Sequence, residues 1–189
     1  MNDLLSTHPV SLASAPGAPT LAPPRQYLTF MLGAEMFSID ILCIKEIIWY
    51  AGLTEVPMMP ACIRGVINLR GSVVPVMDLS ARFNKASTPV TKSTCIVIIE
   101  VTAHDGGERQ VMGVVVDAVQ AVLEIPATDI EPAPGFGAKI RSDFIEGIGK
   151  VNGNFVILLN VHAVLSLNEL SELDQLALPA ATEVAGMHD

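Results

Sequence analysis

Aromatic residues make up only 5% of this 189-residue chain and charged residues only 16%, with twenty acidic against eleven basic side chains for a formal net charge of −9. A surface that neutralises phosphates needs the opposite balance, so nucleic acid is a poor candidate partner. Cysteine is scarce as well. Cys43, Cys62 and Cys95 lie far apart without CxxC spacing, which argues against a disulfide framework or a zinc site and fits buried free thiols in a reducing compartment. No run reaches the roughly 18 consecutive apolar residues that a membrane-spanning helix needs, and the N-terminus lacks the basic start of a secretion signal. The chain therefore reads as cytoplasmic, with no direct membrane insertion. Linear signatures of catalysis are missing too: GxxxxGK[ST], GxGxxG, GxSxG and HExxH do not occur, and His8, His104, His162 and His188 are scattered over tails, a turn and the start of the last helix. Neither catalysis nor a cofactor nor a metal is expected.

Aliphatic residues dominate what remains. Half of the chain is hydrophobic, so it either fills two cores or presents an apolar contact surface. Residues 1–24 form a Pro/Ala/Ser-rich leader without amphipathic period, and 169–189 read as a helix end and flexible tail. Between them, "RQYLTFML" and "EMFSI" read as a hairpin around Gly33-Ala34. "IDILCIKEI" places Ile41, Ile44 and Ile47/Ile48 at helical intervals behind Asp40 and predicts a short helix. "GVINLRGSVVPVMDL", residues 65–79, is a strand, a tight turn at Arg70-Gly71 and a second strand, in which Pro75 predicts an edge or a bulge. Asp78 is placed to cap a short helix. "NKASTPVTKS" is a polar connector. "TCIVIIEV" and "RQVMGVVVD" are strands around "HDGGE", and Asn152-Gly153 signals a type I′ hairpin. From Asn160 an amphipathic helix of about two to four turns is predicted.

Residues 65–79 recur at 147–161, "GIGKVNGNFVILLNV". Gly65 matches Gly147, Val66 matches Ile148, Gly71 matches Gly153, Val74 matches Val156 and Asp78 matches Asn160. A second echo sets Ile39-Asp40 beside Val116-Asp117. Two related β-rich halves follow, approximately 25–88 and 93–167. Short strands without full-length crossover helices predict a mainly β protein of two small barrels rather than a parallel sheet. The repeat also isolates Arg70, because Asn152 stands in its place in the second copy. Arg70 is then either an exposed turn arginine or a group that reaches a carboxylate or a partner; Glu46 is the candidate carboxylate.

The ordered set "EMFSIDILCIKEI", "LTEVPMMP", "IRGVINLRGSVVPVMDL", "MGVVVDAVQAVLEI" and "FIEGIGKVNGNFVILL" resembles the successive blocks of the CheW-like chemotaxis coupling proteins, over roughly residues 25–168. The resemblance implies two five-stranded SH3-like barrels whose strands cross between halves, with a C-terminal helix packed on one of them. It implies a non-catalytic adaptor that links the regulatory domain of a CheA-type histidine kinase to the cytoplasmic tip of methyl-accepting chemoreceptors. A role in a non-flagellar chemosensory pathway is the alternative. Ile44, Glu46, Gly65 and Arg70 match receptor-facing positions of that family, with Val66 and Ile67 lining the same apolar surface; Leu53 and Gly71 match kinase-facing ones. Core packing for the aliphatics and turn geometry for the glycines are the competing explanations. Ser80, after Asp78-Leu79, departs from the arginine common there.

Overall fold

The computed structural model describes residues 22–102, 109–135 and 140–166. Among the described residues, eleven strands fold into two sheets: β1 (Arg25–Leu32), β2 (Glu35–Asp40), β3 (Ile44–Trp49), β4 (Ile63–Leu69), β5 (Ser72–Asp78), β6 (Cys95–Thr102), β7 (Arg109–Val116), β8 (Ala118–Ile125), β9 (Ile130–Glu131), β10 (Ile145–Val151) and β11 (Asn154–Leu159). The first sheet runs β8-β1-β2-β11-β10-β9 and the second β3-β6-β7-β5-β4. The expected mainly β architecture is therefore present. Each sheet draws strands from both copies of the sequence repeat, and the two are joined to one another in the same way. In the first sheet β11 lies parallel to β2, and in the second β5 lies parallel to β7.

Doubly buried strands explain the apolar composition. Along β6, Cys95, Val97, Ile99 and Val101 face a large core between the sheets, which Leu28, Phe30, Phe37 and Leu159 enter from the other side. Ile96 and Ile98, pointing the opposite way, join Val76 and Val115 in a small inner core of the second sheet. Tyr27, Ile125 and Leu158 form the inner core of the first. Alternation along one strand thus feeds two cores, and each fully buried Ile or Phe contributes about 1.5–3 kcal/mol.

The repeat is visible in local geometry. β4 carries an irregularity between Ile63 and Gly65, and β10 carries one between Ile145 and Gly147. Asp78 caps the short helix α1 (Leu79–Arg82), accepting from Ser80 N–H and Ala81 N–H, while Asn160 caps α2 (Val161–Val164) by accepting from Ala163 N–H. Both hairpins turn through two left-handed residues, Arg70-Gly71 (φ 51° and 87°) and Asn152-Gly153 (φ 50° and 79°), as a type I′ turn requires.

Three expectations are corrected. "IDILCIKEI" is not a helix. Asp40 accepts from Leu42 N–H over a single 3-10 turn, Ile41–Cys43, and the chain then runs straight into β3, paired with β6. Four isoleucines at helical spacing are also four β-branched residues. Here pairing decides: Ile44, Glu46 and Ile48 lie half-buried while Lys45, Ile47 and Trp49 are exposed, a period of two. Pro75, for its part, is not on an edge, since β5 lies between β4 and β7. It pairs with Val66, whose N–H and C=O both point outward to Thr54, so β4 asks no hydrogen bond of the Pro75 nitrogen. Pairing of β5 with β7 begins only at Val76. The helix predicted from Asn160 for about two to four turns is a single turn, Val161–Val164, which ends at its cap Leu165. The turn "HDGGE", the leader up to residue 21 and the residues beyond 166 lie outside the described residues.

Candidate functional site

The second sheet ends in β3 on one side and β4 on the other, and the candidate residues gather where these edges approach each other. Arg70 sits at the tip of the β4–β5 hairpin. Its left-handed backbone costs a non-glycine residue on the order of 1–2 kcal/mol, less for the asparagine found at the equivalent turn. The Asn68 carboxamide oxygen accepts from Gly71 N–H at 2.8 Å and holds the turn. From there the Arg70 guanidinium reaches Glu46 on β3, donating to Oε1 at 2.8 Å and to Oε2 at 3.0 Å. This fork fixes both side chains in one plane. The Arg70 side chain nevertheless remains 78% exposed, against 24% for Glu46. An ion pair this wet stabilises by about 1 kcal/mol or less. What it provides is a guanidinium presented at a fixed place on the surface.

Below this clasp a cleft of about 460 Å³ separates the edges, lined by Ile48, Trp49, Leu53, Thr54, Val66 and Ile67 among others. Leu53, Ile67 and Ile48 are half-buried and close the inner core of the second sheet. Thr54 bridges to β4: its N–H donates to Val66 O at 3.0 Å and Val66 N–H donates back at 2.9 Å. Gly65, at φ 154°, lies directly beneath this bridge. Ile44 is half-buried against the large core, and Gly71 is exposed in the turn.

The structure thus brings Glu46, Arg70 and Gly71 together at one end of the seam and Leu53, Gly65, Val66 and Ile67 along it, with Ile44 two positions before Glu46 on β3. Sequence reasoning passed over the outer face of β3. Trp49 is 69% exposed and Ile47 is exposed beside it, two positions away on the same face. The strand period in "IKEIIW" was the available signal. Val73, on the strand after the Arg70 turn, is exposed as well.

A buried polar cluster supports the hairpin from its base. The Asp78 side chain is fully buried, and Arg64 Nε approaches its Oδ2 at 3.3 Å. Thr88 N–H donates to Asp78 Oδ2 at 3.0 Å, Thr88 O accepts from Arg64 at 2.8 Å, and the Thr88 hydroxyl donates to Asp78 Oδ1 and is hydrogen-bonded to the Ser80 hydroxyl. Asp78 is therefore more than a helix cap. It ties the connector of residues 84–93 to the hairpin, and Ser80 takes part where the resemblance led to an arginine. On the far side of β3, Lys45 donates to Glu100 at 2.7 Å and holds that carboxyl below its ordinary range, with Arg109 adding to the effect.

Among the described residues, no group of His, Cys, Asp and Glu side chains could hold a metal ion, and no helix is long and apolar enough to cross a membrane. The surface is a fixed arginine beside exposed apolar side chains, which suits contact with another protein.

Comparison with known proteins places the whole domain among relatives. The CheW-like domain profile matches residues 26–169. The chain is 34% identical to the chemotaxis protein CheW of Klebsiella aerogenes over 153 residues, spanning 81% of this chain and 89% of that protein. It is 28% identical to the protein FrzA of Myxococcus xanthus over 145 residues, spanning 76% of this chain and 86% of that one. Among solved structures, the scaffolding protein TtCheW of Thermoanaerobacter tengcongensis superimposes with a TM-score of 0.69 at 32% identity, covering 82% of this chain and 96% of that one.

Proposed function

The chain belongs to the CheW-like domain family, and from that premise we propose that it is a non-catalytic chemotaxis coupling protein, a scaffold that holds a CheA-type histidine kinase and the signalling tip of methyl-accepting chemoreceptors in one assembly. Ile44, Glu46, Gly65, Val66, Ile67 and Arg70 form the receptor-facing surface in this reading; Leu53 and Gly71 face the kinase regulatory domain. The scaffold acts in the cytoplasm, at the inner face of receptor arrays.

The observation that carries the reading is Arg70. Its backbone is strained and its side chain is held by Glu46, yet most of that side chain is left in water. Hairpin construction does not ask for this, as Asn152 demonstrates at the equivalent turn. A strained, oriented and exposed cation is what a recognition surface needs. Transmission through such a scaffold requires that the three-way geometry differ in free energy between kinase-on and kinase-off states, typically by about 1–3 kcal/mol.

A pull-down with two baits tests the proposal: a CheA-type regulatory domain, and separately a receptor signalling-tip fragment. Capture by each supports it; capture by neither removes it.

A further inference from the structure

Gly65 and Gly147 occupy equivalent places in the repeat, and each lies beneath a crossing segment. A Cβ on Gly65 would stand 2.4 Å from the Thr54 carbonyl oxygen. A Cβ on Gly147 would stand 2.7 Å from the Ile130 side chain and 2.9 Å from the Glu131 carbonyl oxygen. In the first case the crossing segment is the Thr54–Val66 bridge, and in the second it is β9, whose Glu131 pairs with Ile148. Val66 and Ile148 are themselves repeat equivalents. An apolar residue stands beside each: Leu53, just before the Thr54–Val66 bridge, packs on the inner core of the second sheet, and Ile130, within β9, packs on that of the first. Each half therefore builds the same device, in which an aliphatic plug enters the inner core and the next residue is strapped to a sheet edge over a glycine.

We infer that Gly65 is the positioning residue of the Leu53 segment: its missing side chain is the seat on which Thr54 docks, and Thr54 in turn fixes Leu53. Backbone, not a flexible side chain, fills the space above Gly65, so even a methyl group must lift the strap. The consequence rests on the reading of Leu53 as kinase-facing. A candidate receptor-side position and a candidate kinase-side position become one mechanical unit, joined through the two-way Thr54–Val66 hydrogen bond. Displacement at the β4 edge moves Leu53.

The experiment combines site-resolved amide hydrogen exchange with affinity for the CheA-type regulatory domain, on the full chain. Gly65→Ala is expected to expose the Thr54 and Val66 amides to exchange while β6 and β7 stay protected, and to weaken kinase-domain binding by about tenfold or more. Thr54→Pro removes the strap's donor without touching Gly65. It is expected to weaken kinase-domain binding similarly and to leave receptor-tip binding at the wild-type level, so it decides the matter should Gly65→Ala fail to fold. Gly147→Ala is the control: it should release the Ile130–Glu131 strap and leave kinase-domain affinity unchanged. Retained Thr54 protection in Gly65→Ala would overturn the inference, as would wild-type kinase binding in Thr54→Pro or an equal loss in Gly147→Ala. If Leu53→Ala binds the kinase domain normally, the kinase-facing reading of Leu53 fails instead, and hydrogen exchange in Gly65→Ala still decides whether the glycine is a seat.

Discussion

Arg70 and Glu46 stand 24 residues apart in sequence, one at a hairpin tip and the other on the opposite edge strand of the same sheet, joined by a two-pronged ion pair of 2.8 and 3.0 Å. The pair spans the seam between β3 and the β4–β5 hairpin and leaves the guanidinium facing outward.

Arg70→Glu is expected to weaken receptor-tip binding strongly while changing unfolding free energy by no more than about 1 kcal/mol, because the lost pair is solvent-exposed. Isothermal titration and urea unfolding read the two quantities. In the exchanged double variant Glu46→Arg/Arg70→Glu the pair re-forms with its direction reversed. Stability should return and receptor binding should not, since the outward cation has moved to β3.

Arg70→Asn separates construction from recognition more finely. Asparagine is the residue that the second hairpin uses at the same left-handed position. The relief of backbone strain and the loss of the exposed pair are each about 1 kcal/mol and oppose one another, so thermal stability should stay near wild type. Receptor binding should fall as it does for Arg70→Glu. A variant that folds as well and binds less assigns the arginine to the surface.

Asp78→Ala predicts the reverse. It leaves Arg64 without its carboxylate, the connector without two bonds to Thr88, and α1 without a cap. Removing one partner of a buried pair costs about 3–5 kcal/mol, readable as a lower urea midpoint with an unchanged slope.

Glu100 supplies a pH test. Its carboxyl is lowered chiefly by the hydrogen bond from Lys45, so its contribution to stability is present above the ordinary carboxylate pKa of 4.5 and disappears as pH falls through the lowered folded value. In Lys45→Ala the Glu100 resonance should titrate at a higher pH than in wild type, by carbon-detected NMR. No change would show that Lys45 does not set it.

Where the interactions are local, the sequence spoke for itself. Asn152-Gly153 specifies its turn through two adjacent backbones, and Asp78 and Asn160 cap helices that begin at the next residue. The repeat was legible because bulge glycines and turn glycines recur at matched positions. β3 was not, because its isoleucines satisfy helical and strand patterns alike and only pairing with β6 chooses between them. Nor was the work of Thr88 or Thr54, whose partners lie eight or more residues away along the chain. At the candidate site, Glu46 stands out for Arg70 as the only acidic residue between Asp40 and Glu55, and the fold pairs the two. Trp49 escaped notice because a predicted helix would have hidden the face it shares with Ile47.

Co-sedimentation tests the central claim most directly: a CheA-type kinase is mixed with vesicles carrying a methyl-accepting chemoreceptor, with and without this protein. A scaffold predicts that the kinase pellets with the vesicles when wild-type protein is added and that Arg70→Glu fails to bring it down. Kinase that stays in the supernatant with wild-type protein, or pellets equally with Arg70→Glu, contradicts the account.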